Sequence, residues 1–85
     1  MHWDLIVDGS VQKALKRISR SDAKRLYAVI REFAVNPFSG DIEKMEGEKN
    51  TWRRRVGAYR IIYDILKGRR IVHISDIRRR TSSTY

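Results

Sequence analysis

The stretch TWRRRVGAYRIIYDILKGRRIVHISDI, residues 51–77, decides the fold of this 85-residue chain. It contains three runs rich in β-branched and aromatic residues, a composition typical of strands: Thr51–Val56, Tyr59–Leu66 and Arg70–Ile77. Two short turn sequences, Gly57-Ala58 and Lys67-Gly68-Arg69, separate these runs. Because turns this tight join neighbouring antiparallel strands, the stretch predicts a three-stranded antiparallel sheet.

The middle run predicts how the sheet divides into two faces. Successive side chains of a strand point to opposite faces, so one face receives Tyr59, Ile61, Tyr63 and Ile65. The other face receives Arg60, Ile62, Asp64 and Leu66. We expect the aromatic and apolar face to pack against helices and the mixed face to be only partly covered.

One strand and two helices are predicted upstream of this sheet. His2–Val7 predicts a strand, and Asp8-Gly9-Ser10 predicts a turn in which Ser10 caps the first helix. Apolar residues then recur at helical spacing in two groups: Val11, Ala14, Leu15 and Ile18, followed by Ala23, Leu26, Tyr27, Ile30 and Phe33. Because only a few residues separate the groups, we expect an antiparallel helical hairpin.

Capping residues and a proline predict where the helices end. The first helix ends near Ser19, and the second begins at Ser21 or Asp22. The second ends at Asn36-Pro37, because the residue before a proline avoids the helical conformation. The segment Pro37–Asn50 predicts a loop, since it contains proline, two glycines and several acidic residues.

The order of the elements predicts the fold class. Strand–helix–helix–strand–strand–strand indicates a single α+β domain over residues 1–85. In this domain the helical hairpin packs on one face of a mainly antiparallel sheet. The opposite sheet face is then the natural position for the arginines of the strands.

Composition excludes several classes of protein. The chain has no Cys, which excludes a disulfide scaffold and a cysteine nucleophile. Its two His are far apart in the sequence, so we expect no metal site and no cofactor. No apolar run approaches the roughly 20 residues that span a bilayer, and no signal-peptide pattern is present. We therefore expect a soluble, cytoplasmic protein with no membrane partner.

The positive charge is concentrated in one part of the sequence. Of the formal net charge of +9, residues 52–85 carry +8, from ten basic residues, nine of them Arg, and two acidic ones. Arginine presents a planar fork of donors that matches phosphate. This half therefore predicts a polyanion-binding surface. A solubilising face, or a patch that docks an acidic protein, remains the alternative.

The arginines are predicted to converge. Alternation places Arg53 and Arg55 on the same face of their strand, and Arg60 can reach that face from the next strand. The basic run Arg78-Arg79-Arg80 follows the last strand, five residues before Tyr85. We expect four guanidiniums and a phenol to meet on one surface. Arg54, Arg78, Arg80 and Lys49 are further candidates for contact with a polyanionic substrate.

Several segments resemble the RelE/ParE toxins of bacterial and archaeal toxin–antitoxin pairs. They are Asn36-Pro37-Phe38, Lys44-Met45-Glu46-Gly47, WRRRVGAYRIIY from Trp52 to Tyr63, and IVHISDIRRR at residues 71–80. The most specific part is Tyr59-Arg60 before a β-branched strand. The resemblance covers the whole chain in element order, and the fold that it implies is the one predicted above.

The resemblance leaves two activities open. RelE-like members cleave mRNA, generally in the ribosomal A site and without a metal ion, whereas ParE-like members poison DNA gyrase. The RelE-like active site matches Arg53, Arg55, Arg60, Arg79 and Tyr85. This match implies catalytic roles for Arg55, Arg60, Arg79 and Tyr85, and substrate binding by Arg53. Two features depart from it: the two strand cations are often Lys in that branch, and no His follows His73 here. An inactive relative that only binds nucleic acid is a third possibility.

The partners follow from the same resemblance. Either toxin branch implies a cognate antitoxin, and the nuclease branch adds the ribosome and mRNA. Contact with DNA is expected only indirectly, through the antitoxin.

The chemistry of RNA fits an arginine site without a metal. The 2′-OH of RNA can attack the adjacent phosphate, and guanidiniums would stabilise the charge that develops. Nearby guanidiniums would also lower the pKa of Tyr85 from about 10, which makes it the candidate general base, although it could instead stack on a base. Arg79 would donate a hydrogen bond to the leaving oxygen. The acids Glu43, Glu46 and Glu48 are either solvated loop residues or an alternative base, and we expect His73 and Trp52 to be structural.

Overall fold

Five strands in the order β1-β5-β4-β3-β2 form one mixed sheet. The computed structural model of the protein describes residues 2–79. Its elements in chain order are β1 (Asp4–Val7), α1 (Gly9–Arg17), α2 (Arg20–Phe33), β2 (Ile42–Lys44), β3 (Thr51–Val56), β4 (Tyr59–Leu66) and β5 (Ile71–Arg79), with a 3₁₀ turn at Lys67–Arg69. The α+β class and the helical hairpin are therefore confirmed.

The antiparallel order of β3, β4 and β5 is also confirmed, and the two outer strands complete the sheet. β1 lies parallel to β5, with Asp4 opposite Ile71. β2 lies antiparallel to β3, with Glu43 opposite Arg53. The loop predicted for Pro37–Asn50 therefore contains a strand. β2 has only three residues, too few to show an alternating pattern in the sequence.

The helices begin one or two residues earlier than predicted. Asp8, not Ser10, caps α1, because its carboxylate accepts the backbone N–H of Ser10 at 3.1 Å. Ser19 caps α2, and its hydroxyl accepts the backbone N–H of Asp22 at 3.2 Å. α2 ends at Phe33, before the predicted stop at Asn36-Pro37. Both caps satisfy N–H groups that have no partner inside the helix.

The core lies between the helices and one face of the sheet, with α1 over β5 and α2 over β3. The face predicted to be apolar is buried: Tyr59, Ile61, Tyr63 and Ile65 all belong to the core. The ring of Tyr63 stacks on Phe33 with 4.3 Å between centroids, and its hydroxyl donates to the carbonyl of Pro37 at 2.9 Å. Burial raises the pKa of Tyr63 to about 12.

A β-bulge in β5 changes which of its side chains face the helices. Ile62 lies opposite Asp76 while the next residue, Tyr63, lies opposite Ile74, so Ser75 is the extra residue. The Ser75 hydroxyl donates to the carbonyl of Ile62 at 3.2 Å. Beyond the bulge, Ile77 and Arg79 share the helix side, and Asp76 and Arg78 share the opposite side.

β5 also continues to Arg79, two residues beyond its predicted end. Arg78 and Arg79 are thus strand residues with fixed faces, not part of an irregular tail. We call the sheet side opposite α1 and α2 the open face. No helix within residues 2–79 has the length and apolar character needed to cross a bilayer.

Candidate functional site

Three arginines lie side by side across the open face. Arg55 of β3 is opposite Arg60 of β4, and Arg60 is opposite Arg78 of β5. We call these three residues the arginine row. Like charges directly opposite each other destabilise a sheet, so an anion placed over the row would relieve an unfavourable interaction.

Arg60, the middle residue of the row, has the fewest carboxylate partners to neutralise its charge. Arg55 Nε lies 3.8 Å from Asp41 Oδ2, and Arg78 Nε donates to Asp76 Oδ2 at 2.9 Å. Arg60 forms no ion pair with any residue in the described range 2–79. Arg60 is a half-buried residue that lines a pocket, so its guanidinium is available to a ligand.

An acidic residue enters the site through β2. Arg53 Nε donates to Glu43 Oε1 at 2.9 Å, and Arg53 Nη2 donates to the same oxygen. These hydrogen bonds, and then the charge of Arg53, hold the pKa of Glu43 below its usual range, with smaller contributions from Arg55 and Arg60. Glu43 is therefore a carboxylate at neutral pH and a weak base.

Asp41, Glu43, Arg53, Arg55 and Arg60 line one pocket beside the arginine row. The pocket combines three hydrogen-bond forks with two carboxylate acceptors. From the sequence, Glu43, Glu46 and Glu48 were equal candidates in one predicted loop, either as solvated residues or as an alternative general base. Pairing of β2 with β3 selects Glu43, because it puts only this one of the three acids opposite Arg53 on the open face.

Arg54, which we predicted to bind substrate, lies on the helix side of the sheet and is not part of the arginine row. Its side chain is 15% exposed, its Nη1 donates to the carbonyl of Ser39 at 3.3 Å, and the same atom lies 3.9 Å from Glu32 Oε1. The guanidinium also fills the space beside Gly40. Within the described residues, Arg54 joins β3 to the end of α2 and to the following loop.

Arg79 also lies on the helix side, which corrects the expected convergence. The bulge at Ser75 places Arg79 opposite Tyr59, with its guanidinium carbon 6.0 Å from the centroid of the Tyr59 ring. Arg78 occupies the place in the row that we expected for Arg79. The two remaining site predictions, Arg80 and Tyr85, lie outside the described residues.

Lys49 is separated from the arginine row, although we expected both to bind the same substrate. It lines a different cavity together with Lys44, Lys67 and Arg69, at the opposite end of β4 from Arg60. Leu66 lies six positions after Arg60, a separation of about 20 Å at ~3.3 Å per residue.

The interpretation of His73 as structural agrees with its contacts. His73 Nδ1 lies 3.7 Å from Asp64 Oδ2, and the hydroxyl of Thr51 donates to Asp64 Oδ1 at 2.6 Å. These residues lie opposite one another on β3, β4 and β5. Among residues 2–79, no three His, Asp or Glu side chains come together as metal ligands would.

Comparison with known proteins identifies the family. Residues 5–83 match the family model described as the ParE toxin of the type II toxin–antitoxin system parDE. The chain belongs to this toxin family. The Methanocaldococcus jannaschii protein named RelE1 is 30% identical to this toxin over 83 residues, which cover 94% of this chain and 92% of RelE1.

Solved structures share the fold of the toxin. The archaeal RelE–RelB complex of Pyrococcus horikoshii OT3 contains a chain with a TM-score of 0.85 and 23% identity, covering 98% of this toxin and 100% of that chain. The isolated RelE toxin of E. coli gives a TM-score of 0.80 and 16% identity, covering 95% of this toxin and 87% of that chain. The element order and the five-stranded sheet are thus those of RelE-like folds.

Proposed function

We propose that this toxin is a metal-independent endoribonuclease that cleaves mRNA on translating ribosomes. The observation that carries the proposal is the arginine row, in which Arg55, Arg60 and Arg78 lie in register on the open face and Arg60 has no ionic partner among the described residues. A phosphodiester over Arg60 would receive guanidinium forks from all three strands.

This arrangement stabilises the charge that develops in RNA cleavage. Attack of the 2′-OH on the adjacent phosphorus forms a bond to that oxygen and breaks the bond to the 5′-oxygen, with an extra negative charge on the phosphorane between the two steps. Donors that are already in place for this charge usually supply the largest part of the catalysis. Strand pairing holds the Cα atoms of the three arginines side by side, which keeps their guanidiniums within reach of one phosphate.

The proton transfers require two further groups. Glu43 lies in the pocket beside the row and can accept a hydrogen bond from the 2′-OH, but its lowered pKa makes it a weak general base. Tyr85 stays our candidate for the base that takes the proton of the 2′-OH. Arg78 replaces Arg79 as the guanidinium that donates a hydrogen bond to the leaving 5′-oxygen, and because a guanidinium keeps its proton, that oxygen takes its proton from water.

The alternative function is inhibition of DNA gyrase without nuclease activity. The match of residues 5–83 to a ParE toxin model favours it. In that case the open face would dock a protein surface, and the alignment of the arginine row would matter less than its total charge.

A cleavage assay separates the two functions. Wild-type toxin, Arg60→Ala and Tyr85→Phe are compared on mRNA under translation with EDTA present, and Arg17→Ala serves as the control because Arg17 is exposed on α1. We expect cleavage by the wild type and Arg17→Ala, and strong loss in the other two. Absence of cleavage by the wild type, with gyrase trapped on DNA, would overturn the proposal in favour of the gyrase inhibitor.

The proposed partners follow from the same surface. Structural neighbours include toxin chains in complex with RelB antitoxins. We propose a cognate antitoxin with an acidic segment that covers the open face, and contact with DNA only through that antitoxin. The proposed site of action is the cytoplasm, where the ribosome and mRNA are found. Co-expression with an acidic partner encoded alongside should rescue growth.

A further inference from the structure

A second basic cavity lies at the far end of the sheet from the arginine row. It has a volume of about 540 Å³, within the roughly 300–1,000 Å³ range of ligand pockets. Lys44 at the end of β2, Lys49 in the following loop, and Lys67 and Arg69 in the turn before β5 surround it. We call it the lysine cavity.

The charge of the lysine cavity is not compensated by its walls. Four cations line it, and none of the acidic residues within 2–79 does. The pocket beside the arginine row differs in this respect, because Asp41 and Glu43 line it. Four cations around one concavity with no acidic wall residue favour an anionic ligand.

An indole forms part of the same wall. Trp52 and Asn50 line the cavity, and Trp52 packs edge-on against Phe38 with 6.0 Å between centroids. Phe38 packs in the same way against Trp3, at 6.1 Å. The ammonium of Lys67 lies 5.6 Å from the centroid of the Phe38 ring. One aromatic cluster therefore positions both the indole and a cation of the cavity.

We infer that the lysine cavity binds a nucleotide unit of single-stranded RNA, with the phosphates on the cations and a base against Trp52. Single-stranded nucleic acid offers both components, since each nucleotide carries one phosphate and one planar base. An acidic peptide would satisfy the cations but would leave the indole unused. Asn50 can donate to or accept from a base edge.

This inference rests on the proposed RNA-directed function and adds a second contact to it. The arginine row and the lysine cavity are about 20 Å apart along β4. Lys44 and Trp52 lie on the helix side of the sheet, whereas Arg53 lies on the open face. The lysine cavity therefore holds a part of the RNA that lies outside the segment being cleaved.

The first experiment locates the ligand. The probe is a 2′-O-methyl RNA oligonucleotide, which lacks the nucleophile and so reports binding independently of cleavage. The chain has two Trp, so an ¹H–¹⁵N spectrum shows two indole resonances. We expect the resonance of the Trp52 indole to shift when RNA is added, and the resonance of the buried Trp3 indole to stay unchanged. The variant Trp52→Phe identifies which resonance belongs to Trp52. An unchanged Trp52 resonance at saturating RNA overturns the inference.

The second experiment counts the phosphates. For single strands, each neutralised phosphate contributes about −0.7 to the slope of log K against log salt concentration. Lys49→Ala/Arg69→Ala should therefore flatten the slope by roughly 1.4. Lys13→Ala/Arg17→Ala removes the same charge from the exposed surface of α1 and should change the slope less. Equal flattening in both pairs would show a net-charge effect and overturn the inference.

Three further outcomes keep this inference distinct from the proposed function. A poly-glutamate peptide that shifts Trp52 where RNA does not would assign the cavity to an acidic protein and overturn the inference. Loss of cleavage in Arg60→Ala with no RNA effect at Trp52 would overturn the inference alone. RNA binding at Trp52 in a toxin that cleaves nothing would support the cavity while overturning the nuclease proposal.

Discussion

Arg78 lies directly across from Arg60 on the open face, while its neighbour Arg79 lies on the other side of the sheet. The extra residue Ser75 causes this exchange, because it reverses the alternation of β5 beyond the bulge. The residue that completes the arginine row is therefore one position earlier than the family resemblance implied. This difference can be measured.

Under the proposed nuclease function, Arg78→Ala should reduce RNA cleavage far more than Arg79→Ala. Removal of a donor that stabilises transition-state charge typically costs about 10²–10³ in kcat. Arg79 faces Tyr59, so its loss should leave the chemical step nearly unchanged. Single-turnover rates on one mRNA substrate, with Arg60→Ala as the reference, measure the difference. A larger loss for Arg79→Ala would show that the bulge does not set the active geometry.

The parts of the fold that depend on local sequence were predictable. The alternation in Tyr59–Leu66 identified the buried face, and alternation in Thr51–Val56 put Arg53 and Arg55 on the open face, because side-chain direction in a strand depends only on position. The spacing of apolar residues identified both helices for the same reason.

The parts that depend on strand pairing were not predictable. β2 is recognisable only through its bonds to β3, and the bulge only through the register of β4 against β5. Lys49 and Lys67 are 18 positions apart in the sequence, and only the folded chain brings them to one cavity.

The net charge of the first 51 residues also failed to indicate that the helical hairpin has a basic surface. Residues 9–33 hold seven Lys and Arg and two acids. Both acids contact internal partners: Asp22 accepts from the Tyr59 hydroxyl at 3.2 Å, and Glu32 lies 3.9 Å from Arg54. The helical hairpin is therefore strongly basic, although residues 1–51 together carry a net charge of only +1.

Glu43→Gln should change how the free energy of unfolding depends on pH in the acidic range. Arg53 lowers the pKa of Glu43 in the folded protein, so the carboxylate stabilises the fold at every pH above its unfolded pKa of about 4.3. That contribution is lost as the pH falls through the lower, folded pKa. We expect the difference in unfolding free energy between wild type and Glu43→Gln to be constant from about pH 7 to 5 and to shrink below about pH 4.

Urea unfolding at a series of pH values measures this difference. Glu48→Gln is the matched control, because Glu48 is exposed and forms no ion pair with another described residue. A Glu43→Gln difference that stays constant to pH 2 would contradict the assigned contact with Arg53.

Tyr63→Phe should destabilise the fold by about 0.5–1.5 kcal/mol, the net value of a hydrogen bond. The change removes the donor to the Pro37 carbonyl and keeps the ring stacked on Phe33. Burial raises the pKa of Tyr63 to about 12, above the unfolded value of about 10. Wild-type stability should therefore fall between those two pH values, and Tyr63→Phe should lack this part of the fall. The unfolding free energies of the two proteins are measured between about pH 10 and 12. An equal fall in both proteins would contradict the raised pKa of Tyr63.

Gly40→Ala should destabilise the toxin more than Gly47→Ala. Both glycines have positive φ angles, +86° and +83°. An alanine at either position is therefore strained in the left-handed conformation, which costs about 1–2 kcal/mol. A Cβ at Gly47 meets open space, whereas a Cβ at Gly40 collides with the guanidinium of Arg54. That guanidinium must then leave the Ser39 carbonyl and Glu32.

The double variant Gly40→Ala/Arg54→Ala isolates the collision from the backbone strain. If Arg54 is the obstacle, Gly40→Ala should cost less in the Arg54→Ala background than in the wild type, and its cost should approach that of Gly47→Ala. Residues in contact commonly show coupling energies of about 0.5–3 kcal/mol, well within the reach of chemical denaturation. Additive costs for Gly40→Ala and Arg54→Ala would mean that Arg54 does not occupy the space beside Gly40. Arg54 would then be free to turn toward a ligand, as its sequence first indicated.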